Sequence, residues 1–238
     1  MNAQELFRAG NLDEAIALLG VELRSNPTDA QRRMFLFELL CFAGDHDRAE
    51  KQLDVLAGQT RDAELGALLY RAALHAERTR EAMFRASDYP RNGPAPSPPR
   101  GTLNQRAFST LTDADPRIGA RLEVFAAGQY LWIPFEHVAT IRMAPPKRLR
   151  DLLWAPGVVR TGAGFHGVEL GEVLLPTLAP LTSQHPDPAV RLGRVTEWTT
   201  LDADTAVPVG QKLLLVDGEE FPILELRELD VTPTAPAD

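Results

Sequence analysis

The chain has 238 residues, 44% of them hydrophobic, and a formal net charge of -8, which allows one large or two small cores. Acidic residues outnumber basic ones by 15 to 13 in residues 1–100 and by 18 to 12 in the remainder. Neither half has a basic stripe, and this balance argues against wrapping nucleic acid or lying on an anionic membrane. The single cysteine, Cys41, excludes an internal disulfide framework and a cysteine-based zinc cage, and it suits a reducing compartment. The opening Met1-Asn2-Ala3-Gln4-Glu5 lacks the basic and apolar regions of a signal peptide, and no uncharged apolar run is long enough to span a bilayer. The expectation is a soluble, cytoplasmic protein.

Residues 1–86 carry a helical pattern. Gly10-Asn11-Leu12-Asp13-Glu14-Ala15 recurs 34 positions later as Gly44-Asp45-His46-Asp47-Arg48-Ala49, the period of a tetratricopeptide-like helical hairpin in which Gly closes one helix and Ala lets the next pack closely. Leu12, Ala15, Ile16 and Leu19 keep helical spacing until Pro27 stops the run. Leu36, Phe37 and Leu40, then Ala49, Leu53 and Leu56, form the second unit. A third pair is expected from Leu65, Leu69, Tyr70 and Ala73 to Ala82, since about three units are needed for a stable stack. The first unit is short at its N-terminus, so another element should cover that end.

Residues 87–101 hold Pro90, Pro94, Pro96, Pro98 and Pro99, a polyproline-like connector and the expected domain boundary. From 102 to 230 the period changes to that of strands. Leu122 to Phe125 and Tyr130 to Ile133 flank Ala127-Gly128-Gln129; Val158-Val159 and Val168 to Leu175 flank a Gly-rich turn; Val195 to Thr199, Lys212 to Val216 and Phe221 to Leu226 come after them, the last two joined at Asp217-Gly218. Lys147 to Trp154 reads as a short helix. The fold class is therefore α+β: helical repeats, then a mostly β domain forming a curled sheet or small barrel, with a frayed tail at 231–238.

Several ordered phrases of the second half carry a family resemblance: Asp113-Ala114-Asp115-Pro116-Arg117, Trp132-Ile133-Pro134-Phe135-Glu136, Arg150-Asp151-Leu152-Leu153-Trp154, Leu192-Gly193-Arg194-Val195-Thr196-Glu197-Trp198, and Gly210-Gln211-Lys212 with Glu220-Phe221-Pro222-Ile223-Leu224-Glu225. With the repeats ahead of them, the chain resembles the ImpE family, also called TagJ or SciE-like proteins, over nearly its whole length. The resemblance implies a non-enzymatic accessory protein of bacterial type VI secretion. It also implies binding to the N-terminal helix of the small contractile-sheath subunit TssB and association with the recycling ATPase ClpV. Lys212 stands where the family pattern leads one to expect Arg.

Helical repeats present a concave face on which an amphipathic guest helix can bury its apolar stripe. Carried over from the repeat pattern, that face should include Gln4, Phe7 and Arg8, then Met34, Glu38, Cys41 and Phe42, then Glu64, Ala67, Arg71, Leu74 and His75. Phe7, Met34, Phe42 and Leu74 are expected as apolar anchors, Arg8 and Arg71 as partners for guest carboxylates, with Glu38 beside them. About 400 Å² of apolar burial at roughly 25 cal/mol per Å² would contribute at most about 10 kcal/mol before the losses of association.

Chemical alternatives are weaker. Gly162-Ala163-Gly164-Phe165-His166-Gly167 matches the dinucleotide fingerprint in letters, but Val168-Glu169-Leu170-Gly171-Glu172-Val173 alternates like a strand where a phosphate site needs a helix. Histidines 46, 75, 137, 166 and 185 lack the paired spacing of a zinc helix, and no cofactor or metal is expected. Asp113 and Asp115 beside Pro116 suit a turn or cap, and Cys41 between Leu40 and Phe42 suits inert packing. Trp132, Trp154 and Trp198 suit the core, with Arg194, Glu197 and Trp198 as a second candidate contact surface. Two rival readings remain: an enzyme using Asp113, Asp115, His137 or His166, and a general repeat scaffold unrelated to secretion.

Overall fold

The computed structural model describes residues 1–58, 60–90, 95–162, 170–203 and 205–232. Its helical half contains α1 (Ala3–Arg8), α2 (Leu12–Ser25), α3 (Ala30–Phe42), α4 (His46–Ala57) and α5 (Arg61–Ala86). A reciprocal capping box between Asn2 and Glu5 opens α1. Asp29, Asp45 and Thr60 each accept a bond from the backbone N–H three residues on, satisfying donors that the first helical turn leaves unpaired. The repeated glycines, Gly10 and Gly44, have φ of 89° and 71°, a left-handed conformation that L side chains adopt only with strain. Each helix packs on the next, burying the Leu12, Ala15, Leu19 stripe of α2, the Leu36, Phe37, Leu40 stripe of α3, and Ala49 and Leu53 of α4.

The expected third hairpin is instead one 26-residue helix. Residues 67–86 contain neither Gly nor Pro and are rich in Ala, Arg, Glu and Leu, so nothing in them interrupts a helix. It stops at Ser87, itself left-handed at φ 53°.

The strand-rich half contains β1 (Gly101–Leu103), β2 (Arg106–Phe108), β3 (Leu111–Asp113), β4 (Arg121–Ala126), β5 (Gln129–Pro134), β6 (Val138–Met143), β7 (Trp154–Thr161), β8 (Gly171–Pro176), the short α6 (Pro188–Arg191), β9 (Glu197–Thr200), β10 (Ala206–Val209), β11 (Leu213–Val216), β12 (Glu219–Pro222) and β13 (Glu228–Val231). Eight of the strands form an antiparallel sheet in the order β2-β1-β13-β6-β7-β8-β4-β5. Its two end strands do not pair with each other, so the sheet is open, and the small-barrel alternative is corrected. A three-stranded sheet, β12-β11-β3, shares its core: Leu111 and Leu214 pack with Leu122, Val124, Phe135, Ile141, Leu175 and Leu229. β9 and β10 form a separate ribbon.

The two-residue turns lie where the sequence places them. Ala127-Gly128 and Asp217-Gly218 have φ of 49° and 79°, and of 52° and 87°, the mirror-image turn whose twist suits a tight hairpin. The helix expected from Lys147 to Trp154 shrinks to a 3-10 turn, Leu149–Leu152, because Trp154 already pairs with Pro176 in the sheet. β7 and β8 are antiparallel, and Gly171–Pro176 is strand, not helix. The Gly-rich segment between them, including His166, lies outside the described residues apart from Gly162. Of the Pro-rich connector, residues 91–94 are also outside. Tyr89 stacks on Trp132 at 6.0 Å and Pro99 is buried. β13 runs to Val231, one residue into the expected tail, and residues 233–238 lie outside the described set.

The two halves share a core. Phe125, Leu153, Trp154 and Leu192 pack with side chains of the helices, Phe42 and Leu74 among them. Beside it runs a buried ionic network. Arg80 on α5 donates both to Glu123 on β4, at 2.7 and 3.0 Å, and to the Leu178 carbonyl at 3.0 Å. Lys212 places its ammonium against Glu123 and Asp113, and Tyr130 donates to Glu123 at 2.6 Å. The two cations hold the Glu123 carboxyl far below the usual carboxylate range against the opposing effect of burial, which itself pushes Asp113 up to about 7.

Candidate protein-docking groove

The rear half covers part of the expected concave face. Phe42 is 1% exposed and Leu74 fully buried, and Cys41 is enclosed with them. They pack under the segment Leu149 to Trp154, whose indole N–H donates to Glu77 of α5 at 2.9 Å. Phe42 and Leu74 are therefore corrected from partner anchors to interdomain core. Their helical period is the same in either role; what differs is a covering element from far along the chain. Burial pushes the Cys41 thiol well up from its ordinary value, consistent with inert packing.

The other end of the face is open. Met34 of α3, Leu53 and Leu56 of α4, and Ala63, Gly66, Ala67 and Tyr70 of α5 line a groove of about 400 Å³, walled almost entirely by carbon. Small residues at 63, 66 and 67, one helical turn apart, are what keep α5 from filling it. Arg150 lies against one of these lining residues, its guanidinium 5.1 Å from the centre of the Tyr70 ring. Glu38 lies beside Arg150. Burial pushes its carboxyl up to about 7, against the pull of the Arg150 guanidinium and amide. Gln31 connects this groove to a more polar cleft of about 350 Å³ lined by Gln4, Glu22, Arg32 and Phe35.

The remaining expected residues divide. Phe7 is half-buried, edge-to-face on Phe35 at 5.8 Å, and is covered by Arg194, whose guanidinium lies 5.1 Å from its ring and donates to the Phe7 and Arg8 carbonyls at 2.6 and 3.0 Å. Arg194 thus caps the short first unit, helped by Arg191 paired with Asp13. Arg8 itself is exposed. Arg71 is turned toward α4, paired with Asp54 at 2.7 Å, and lines with Glu64 a separate cleft on that flank. Neither Tyr70 in the groove nor Arg150 against its ring was expected. Tyr70 was legible as the i+3 neighbour of Ala67; Arg150 had no signal short of the fold.

The acidic residues considered for chemistry are held in structure. Asp113 accepts from the Asp115 backbone N–H at 2.9 Å, and Asp115 from the backbone and guanidinium of Arg117, the turn expected beside Pro116. Among the described residues no group of three or more His, Cys, Asp or Glu is placed to hold a metal ion, and no helix is long and apolar enough to cross a membrane.

Stacked α-hairpins with an open apolar groove, backed by a strand-rich half, define a repeat protein of the tetratricopeptide type, and residues 6–74 match the tetratricopeptide repeat profile. Residues 105–230 match the profile of the ImpE protein. The chain is 34% identical, over 98% of its length and 92% of the relative's, to the type VI secretion system accessory component TagJ of Pseudomonas aeruginosa. It belongs to the ImpE family. A crystal structure of a Vibrio parahaemolyticus protein has the same fold, with a TM-score of 0.85 over 98% of both chains at 23% identity.

Proposed function

We propose that this protein is a non-catalytic adaptor of type VI secretion that holds the N-terminal helix of the small contractile-sheath subunit, TssB, and so assists recycling of the sheath by the ClpV ATPase. The observation that carries the reading is the open apolar floor of Met34, Ala67 and Tyr70 on the repeat face. The accessory role of the Pseudomonas aeruginosa relative supports it. With half the expected face covered, a guest helix buries roughly 200 Å² of apolar surface here, about 5 kcal/mol before the losses of association. Micromolar affinity then needs the polar neighbours as well. Gln31 on the groove wall, Arg32 in the adjoining cleft and Arg150 against Tyr70 can supply it, with the exposed Arg8 as a further contact.

A peptide copying the sheath subunit's N-terminal helix should bind in calorimetry, and Met34→Asp should weaken it at least about tenfold by placing a charge against the buried stripe. Phe42→Asp is no test, because Phe42 is core. Unchanged affinity in Met34→Asp, with an unchanged circular dichroism spectrum, rejects the groove.

A further inference from the structure

The ribbon of β9 and β10 has a surface that the groove does not explain. All four residues of β9 are exposed, and among the described residues the strand pairs only with β10. An open strand edge is ordinarily blunted by Lys, Pro or a bulge. β9 reads Glu197-Trp198-Thr199-Thr200, with no Pro, no bulge and one charge, the acidic Glu197, which repels another acidic edge and not a basic strand, while Trp and Thr favour the extended state. Val195, Trp198 and Leu201 are 46%, 45% and 51% exposed. The Trp198 indole is oriented by a bond from its N–H to Glu220 at 3.0 Å.

The charge around this edge has one sign. Residues 195–226 contain seven carboxylates and a single basic residue, Lys212, which is buried against Glu123 and Asp113. The arginines just upstream face the helices, Arg191 on Asp13 and Arg194 on the Phe7 and Arg8 carbonyls. Apart from His185, 3.5 Å from Glu197, the ribbon and the adjoining β11–β12 hairpin present carboxylates to solvent: Glu197, Glu219 and Glu220 are all exposed.

We propose that the β9 edge takes an extended, basic segment of a protein partner as a third strand of this ribbon. Main-chain hydrogen bonds to β9 supply the pairing. Alternate Lys or Arg side chains fall on the Trp198 face, against its ring and the Glu220 carboxylate bonded to it, and the residues between them fall on the opposite face with Val195, Glu197 and Leu201. A second copy of this chain fits poorly, since pairing two β9 edges would bring two sets of carboxylates together. The surface shares no residue with the helical groove, so the two sites can be occupied and tested separately.

The probe is a synthetic peptide of about eight residues alternating Lys and Val, titrated into the full-length protein by calorimetry. Two controls accompany it: the Glu–Val counterpart, and the Lys–Val peptide N-methylated at every backbone nitrogen, which keeps the charge and removes the donors from both edges of the strand. The Lys–Val peptide should bind and protect residues 197–200 from hydrogen exchange. N-methylation should weaken it at least about tenfold, as should Trp198→Ala, while Met34→Asp leaves it unchanged. Absence of binding by the Lys–Val peptide overturns the proposal. So does equal binding after N-methylation, which would mean charge attraction without strand pairing. Both controls act on the unmodified protein, so neither depends on how a variant folds.

Discussion

Glu38 shows how a residue of plain sequence character acquires a particular chemistry from its neighbours. On α3 alone it is an ordinary surface carboxylate; with Arg150 and the 149–152 turn laid over it, burial pushes it up to about 7. A carboxyl raised on folding holds a proton that the unfolded chain has already released, so its contribution is present below about pH 4.5 and is lost as pH rises through about 7. Glu38→Gln should therefore match the wild type near pH 4 and exceed its stability at pH 8, by about 1 kcal/mol after allowance for partial exposure. Urea denaturation at the two pH values checks this; a gap that is the same at both would count against it. Met34 and Phe42 teach the complementary lesson. Both have the spacing and apolar character of groove anchors, yet Met34 lies in the open floor and Phe42 beneath Trp154, a difference that no local property of α3 encodes.

Among the secondary-structure elements, the repeated Gly turns and the long helix α5 set the geometry of the stack. Gly10 and Gly44 occupy equivalent places in the repeat and both need φ above zero. Their surroundings differ: a Cβ at Gly44 would lie 2.6 Å from Ser183 Oγ, whereas one at Gly10 meets only the tip of Arg194, at 3.7 Å. Thermal unfolding should thus show both Gly→Ala variants destabilised, Gly10→Ala by about 1 kcal/mol for backbone strain and Gly44→Ala by about 2–3 kcal/mol for strain plus the clash. Equal losses would mean that Ser183 moves aside freely. The 34-residue period and the two-residue hairpin turns were readable because they rest on local rules, glycine at positive φ and apolar periodicity. α5 was misread as a pair because the stacking rule calls for a third hairpin. Here the β4–β5 turn packs on the helix instead, Gly128 against Ala72, and no second helix is required.

Across the two halves, the Arg80–Glu123–Lys212–Asp113 network and the core around Phe42, Leu74 and Trp154 couple the helices to the sheet. A buried pair contributes little over an apolar substitute, but removing one partner strands the other's charge. Glu123→Ala removes the carboxylate that Arg80 and Lys212 share, and leaves these two cations, each 2% exposed, with Glu77 and Asp113 alone. Its unfolding free energy should fall by about 3–5 kcal/mol. In the wild type, the far-ultraviolet signal of the helices and the tryptophan fluorescence of the sheet should share one denaturation midpoint; two separate midpoints would show that the halves fold independently.

The α+β order of elements, the repeat, the tight turns and the family phrases could all be read along the chain, because each depends on residues within one or two turns of each other or on composition. Which apolar helix positions stay open to a partner could not. That depends on where Leu149–Trp154 and Arg194 come to rest on the helices, contacts between residues more than 70 positions apart. Burial at such distances is a property of the assembled surface, and a periodic stripe has the same letters whether its cover comes from its own chain or from another.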